Sequence, residues 1–264
     1  MTNANMKPIR DIDSIYIITG ASKGLGRAIA INGAKNIGRL ILIARNETEL
    51  QEVSKICNEM NAEAIVIPAD LSSIEEIKTL KKNIQNHIPN NTSNVYLFNN
   101  ASTIDPIGPI DSLCPERLNQ LFSINITAAF ALASEVYAIA KNKNIHSSYI
   151  INISSGVSMK AIEGWSAYCA SKAALNMLSK SITTEAETFN HPIYSVSINP
   201  GALNTQMQEN IRSVENMNLP ITQKFKDMHT EGSLQDVDII AKKVIQLSHS
   251  SPFPKGQFVD FNRT

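Results

Sequence analysis

Ile15-Tyr-Ile-Ile-Thr-Gly-Ala-Ser-Lys-Gly-Leu-Gly26 is the stretch that decides the fold. A short β-branched run passes directly into a turn with glycines at 20, 24 and 26, and apolar residues then recur at helical spacing over 24–36. Glycines at such a turn let the chain reverse tightly and let a pyrophosphate approach the backbone and the helix N-terminus. The spacing is Gly-x-x-x-Gly-x-Gly, which departs from the Gly-x-Gly-x-x-Gly of the general dinucleotide fingerprint. A plain strand-to-helix turn is the competing reading. The position between a strand and a helix favours a phosphate loop, with Gly20, Ser22, Lys23, Gly24, Leu25 and Gly26 as its expected contacts.

Outward from this stretch the same rhythm repeats. Further strands are expected at 40–44, 64–68, 95–98, 149–153, 193–198 and 257–260, with helices at 47–60, 73–87, 115–142, 166–189 and 235–248. Alternation of this kind implies an α/β fold: a doubly wound, mostly parallel, seven-stranded Rossmann-like sheet with helices on both faces. At 264 residues, one domain over 1–264 accommodates it. Residues 201–233 break the rhythm and hold Met207, Met217, Pro220 and Met228. Ligands of open α/β sheets bind beyond the carboxyl ends of the strands, so this irregular insertion reads as a substrate lid.

The second strand selects the cofactor. NAD sites usually carry an acid about 20 residues beyond the glycines, but here the strand ends Ile43-Ala44-Arg45-Asn46. Arg45, beside Asn46, and Lys23 suit a 2′-phosphate, so NADP(H) is expected. Asp70 and Leu71 follow the third strand, where Asp70 either meets the adenine edge or starts a helix. Asn99, Asn100 and Ala101 end the fourth strand and should line the same cleft.

Tyr168 and Lys172 stand four residues apart in Ser166-Ala-Tyr-Cys-Ala-Ser-Lys172, with Ser155 thirteen residues before the tyrosine. On a helix, 168 and 172 share a face. A free phenol keeps its proton to about pH 10, and a lysine charge one turn away should lower that. Ser155 would then bond a substrate oxygen where charge develops. Such a trio can protonate a carbonyl. Trp165, just before that helix, either lines the pocket or packs as core; Met207 either touches substrate or fills a gap.

Composition removes other classes. The 24 basic residues balance 24 acidic ones, so no net field draws the chain to nucleic acid or to a membrane. The N-terminus is polar, and the apolar stretch 124–140 reads as too short and too polar to span a bilayer. Three cysteines show no paired pattern, which suits the cytoplasm, and no histidine shares a metal-ligand spacing, so no metal is expected.

Taken together, the Thr-Gly-x-x-x-Gly-x-Gly loop at 19–26, Asn-Asn-Ala at 99–101, and Ser155, Tyr168 and Lys172 resemble the short-chain dehydrogenase/reductase family. The resemblance implies that Asn125 is a fourth catalytic residue supporting a water relay to the lysine. It also implies that Pro200, Gly201 and Thr205 meet the nicotinamide end, and that a homodimer or homotetramer forms through the helices at 115–142 and 166–189. Within the family the chain is similar to the sepiapterin reductase branch, on Ala44-Arg-Asn-Glu-Thr-Glu-Leu50, Gly164-Trp-Ser-Ala-Tyr-Cys-Ala-Ser-Lys172, Pro200-Gly-Ala-Leu-Asn-Thr-Gln-Met-Gln208 and Val259-Asp-Phe261. That branch implies a pterin side-chain ketone as substrate, with Asp260 anchoring the pterin. Alternatives are a general 1,2-diketone (benzil-type) reductase, a 3-oxoacyl thioester reductase and a catalytically silent NADP-binding regulator. Two departures stand out: Ser102 follows Asn-Asn-Ala where glycine is usual, and Ser171 replaces a glycine of the animal enzyme.

Overall fold

The structure is a computed structural model that describes residues 11–143, 145–212 and 220–262. The chain runs β1 (Asp11–Thr19), α1 (Gly24–Gly33), β2 (Ile37–Ala44), α2 (Glu47–Glu59), β3 (Glu63–Pro68), α3 (Ile74–His87) and β4 (Asn94–Asn99). It continues through α4 (Pro115–Phe122), α5 (Ala128–Asn142), β5 (Ser147–Ile153), α6 (Ser166–Thr188) and β6 (Ile193–Asn199). Then come α7 (Gln206–Arg212), α8 (Pro220–Thr230), α9 (Val237–Ser248) and β7 (Phe258–Asp260). All seven strands are parallel, in the order β3-β2-β1-β4-β5-β6-β7. The Rossmann-like architecture expected from the sequence is present.

Because the strands are covered on both sides, alternate residues feed two cores. Ile15 and Ile17 pack with Leu80 of α3, Leu132 of α5 and Leu178 of α6. Tyr16 and Ile18 pack on the other face with Ile29 of α1, Val53 of α2 and Val244 of α9. The register also lines up Tyr16, Tyr96, Tyr149 and Tyr194 as a row across β1, β4, β5 and β6.

Element ends differ from the apolar pattern where polar groups close them. β1 starts at Asp11, well before Ile15, because Asp11 N bonds Asn36 O. The same reversal stops α1 at Gly33, short of the expected 36. Side chains cap the next helices, Asn46 accepting from Glu49 N and Ser73 from Glu76 N.

Two expectations need correction. The described residues of 201–233 include two helices, α7 and α8, short ones whose sparse apolar residues hid their period. Met217 lies outside the described residues. The helix expected over 115–142 carries a π-helical turn at Ser123–Thr127, between α4 and α5, and this turn holds Asn125. As one span, Pro115–Asn142 is 28 residues long and holds an 18-residue window with a mean hydropathy of 1.4, enough by length and composition to cross a membrane. It is nonetheless packed: Leu132, Val136 and Ile139 sit inside the core with β4 and α3.

Candidate active site

The sheet order reverses between β1 and β4, and a cleft opens at the carboxyl ends of the strands there. Its volume is about 1580 Å³, beyond the roughly 300–1,000 Å³ of single small-molecule sites. A dinucleotide and a second molecule fit together.

The glycine loop forms one wall. Gly20 and Gly24 adopt φ of +66° and +54°, in the left-handed region that favours glycine. A Cβ on Gly26 would lie 2.2 Å from Gly20 O and 2.5 Å from Asn100 Nδ2, so the turn closes only without a side chain. Thr19 Oγ1 accepts from Asn100 N at 2.9 Å and Ala101 N at 3.0 Å, while Asn100 Nδ2 donates to Thr19 O at 2.9 Å. The ends of β1 and β4 are thereby locked together. Lys23 precedes α1 without a side-chain cap, so the first-turn amides are not claimed by it. This backbone cradle fits a cofactor pyrophosphate.

Opposite the loop, β5 delivers Ser155 and α6 delivers Tyr168 and Lys172, all three on the cleft wall. Lys172 is buried, its Nζ donating to Ile153 O at 2.9 Å and lying 5.5 Å from the centre of the Tyr168 ring. The sequence leads one to expect a phenol lowered by this lysine. The structure puts burial first: it pushes Tyr168 up to about 12, opposed by the hydroxyls of Ser102 and Ser155. Burial also pulls Lys172 down to about 7. Burial thus holds each group against its charged form.

Residues 14–216 match the sequence model of the short chain dehydrogenase family. The chain belongs to that family of oxidoreductases. A Bacillus cereus benzil reductase, named as forming (S)-benzoin, is 32% identical over 244 residues, covering 92% of this chain and 97% of the relative. The sepiapterin reductase of Bos taurus is 27% identical over 261 residues, covering 94% of each. Among solved structures, the KRED1-Pglu enzyme superposes with a TM-score of 0.79 at 25% identity, covering 93% of this chain and all of the other.

For this short-chain dehydrogenase the remaining expected residues sort clearly. Ser22, Lys23, Leu25, Arg45, Asn46, Asp70, Leu71, Ala101, Pro200, Gly201 and Thr205 line the cleft with the loop, as do Trp165 and Met207. Trp165 is both wall and core: buried, it stacks on Phe225 of α8 at 5.6 Å and meets Tyr168 edge-on. Asp70 Oδ1 accepts from both the amide and the hydroxyl of Ser72, so it shapes the turn after β3 while facing the cleft.

Two residues stand elsewhere than expected. Asn99 is not on the wall; it is buried below it, donating to Ala129 O and Asn152 Oδ1, because the strand's alternation turns it away from the cleft. Asp260 is also off the wall, behind Asn199 and Asn262, whose Nδ2 and backbone N its Oδ1 accepts at 2.7 and 3.0 Å. Asn125 lies buried in the π-turn and is bonded within the protein. Its Oδ1 accepts from Thr103 N at 2.8 Å, and its Nδ2 donates to Thr103 O and to Ser171 Oγ. Ser171 Oγ in turn donates to Tyr168 O, so the π-turn is tied to α6.

Sequence reading missed Thr19 as a brace, Arg27 as a further cation of the cleft and Phe225 as the aromatic partner of Trp165. Arg27 had a visible signal, one residue past Gly26. Phe225 had none, since the fold alone brings it to Trp165.

Proposed function

We propose that the protein is an NADPH-dependent carbonyl reductase that acts on vicinal diketones with apolar flanks. The observation that carries this reading is the wall around Tyr168: Ile104, Trp165 and Ile211 pack there, with Ile107, Val157, Ile162, Met207 and Phe225 against them. Among the described residues at that end, the carboxylate is Asp105, ion-paired with Arg117 and half-exposed. A pterin needs a polar anchor, and Asp260 is engaged by Asn199 and Asn262 behind the wall. The benzil reductase of Bacillus cereus, more similar to this chain than the sepiapterin reductase of Bos taurus, points the same way.

NADPH, when bound, supplies a hydride to the carbonyl carbon. Tyr168 gives its proton to the carbonyl oxygen, so C=O becomes CH–OH and the phenol becomes a phenolate. Ser155 holds that oxygen in line, and Lys172 offers the phenolate a cation one helical turn away. Preference for the 2′-phosphate is supported by Lys23, Arg27 and Arg45, exposed cations on the cleft wall, against Glu49 and Asp70. The same reading makes the protein a cytoplasmic homodimer or homotetramer. The unpaired cysteines are consistent with that compartment, and Phe130 of α5 and Met177 of α6, 44% and 61% exposed, offer apolar contact surface.

Initial rates of NADPH oxidation against benzil, sepiapterin and an acetoacetyl thioester test the proposal. Benzil should be reduced fastest, with NADH a poorer donor, and Arg45→Asp should shrink the NADPH preference by about tenfold or more. Faster turnover of sepiapterin or the thioester, or indifference to the donor, would overturn it.

A further inference from the structure

Ser102 follows Asn99-Asn100-Ala101 beyond the end of β4. Its backbone is pinned on both sides. Ala101 N donates to Thr19 Oγ1 at 3.0 Å, and Thr103 N and O are both bonded to the Asn125 side chain at 2.8 Å. The hydroxyl held in this frame lines the cleft, is sealed from solvent and has no well-formed hydrogen bond to the protein. A serine hydroxyl can donate once and accept twice, and one buried with neither calls for an explanation.

It shares the cleft wall with the phenol of Tyr168. Ser102 and Ser155 are the side chains close enough to favour the ionised form of that group, although Ser102 does not reach good alignment with the neutral one. The other titratable neighbours are Lys172, 5.5 Å from the ring centre, and Cys169, which disfavours the phenolate.

We propose that Ser102 is a catalytic hydroxyl that donates a hydrogen bond to the Tyr168 oxygen as that oxygen gives up its proton. The proposal rests on the reading of Tyr168 as the proton donor. As the phenol O–H breaks and the alcohol O–H forms, the Tyr168 oxygen gains charge and becomes a stronger acceptor. Ser102 keeps its own proton throughout and turns its unused donor to that charge. An interaction made only as charge develops lowers the barrier without tightening ground-state binding. Lys172, pulled toward neutrality by burial, leaves room for a second stabiliser.

Ser102→Ala removes the oxygen and little else, and Ser102→Gly removes the Cβ as well. Both should lower kcat for diketone reduction by about tenfold while leaving KM for ketone and NADPH within about twofold. Melting temperature should stay level or rise, since the buried hydroxyl makes no well-formed hydrogen bond to the protein at rest. Unchanged kcat in both variants would overturn the role. A raised KM at unchanged kcat would also do so, as would a rate loss accompanied by a falling melting temperature, which marks a structural role. If the wild-type protein turns over no carbonyl, the proposed function itself falls. Wild-type turnover with an undiminished Ser102→Ala rate removes only the role of Ser102.

Discussion

Buried phenols occur at two places in this molecule, and they are partnered in opposite ways. In the strand row, Tyr16 Oη lies 2.6 Å from His249 Nε2 and Tyr96 Oη 3.2 Å from His249 Nδ1. Burial raises both phenols and lowers the imidazole, so all three stay neutral and trade hydrogen bonds among themselves. At the cleft, burial also raises Tyr168, but its neighbours are a buried lysine and hydroxyls, one of them unsatisfied. Desolvation is common to both places. What separates a structural tyrosine from a reactive one is a set of partners that would gain from its ionisation.

The largest effect should come from removing the phenol proposed as the proton donor. Tyr168→Phe should cut kcat for ketone reduction by about 10²–10⁴-fold. NADPH affinity, followed by its fluorescence, should barely change, because the glycine cradle is built from other residues. Turnover near the wild-type rate would erase the contrast between the two tyrosine sites.

Lys172 sharpens the contrast through pH. Its amine titrates near 7 in the folded protein against 10.5 as a free side chain. Between those values the unfolded chain binds the proton and the folded one does not, so this group makes stability rise with pH across about 7 to 10.5. Below 7 the full cost of burying an ammonium is present. Lys172→Met should therefore flatten the slope, by at most roughly 1 kcal/mol per pH unit, in urea unfolding at several pH values from 6.5 to 9.5. Equal slopes in the two proteins would mean that the lysine is not strained by burial. The variant should also be catalytically crippled.

Much of the cleft was legible because its parts are local in sequence. The loop over 19–26, the Tyr168–Lys172 helical pair and the Arg45 slot each need only one strand or helix to be read. What was not legible depends on register and on turns between distant segments. Asn99 and Asn100 are adjacent, yet the end of a strand sends one into the sheet and the other to the glycine loop. The sign of the Tyr168 shift also escaped, because spacing reports the lysine and not the depth of burial around it. Nor could spacing show that Tyr16 and Tyr96 share one histidine some 150 or more residues later in the chain.

Tyr16→Phe probes the quieter site. It deletes the partner of His249 Nε2 in a buried setting, so stability should fall by about 1–3 kcal/mol, read from chemical denaturation. Diketone turnover should be unaltered at temperatures where the variant is folded. A several-fold loss of kcat would show that the tyrosine row and the cleft, though served by the same strands, are energetically coupled.

The smallest effect belongs to Asp260, and it sets the diketone reading against the pterin one. Its Oδ1 accepts from Asn199 Nδ2 and Asn262 N, a task that the side-chain oxygen of asparagine can take over. Asp260→Asn should thus keep benzil turnover within about twofold, the charge lost being part of a local brace and not a substrate contact. Should sepiapterin be turned over by the wild type, the variant should treat it the same way. A pterin anchored by a carboxylate gives another result: two parallel hydrogen bonds to an amino-pyrimidine need both oxygens, and sepiapterin turnover alone would collapse. That selective loss would require Asp260 to leave Asn199 when substrate arrives, and would make the polar layer behind the wall part of the binding site.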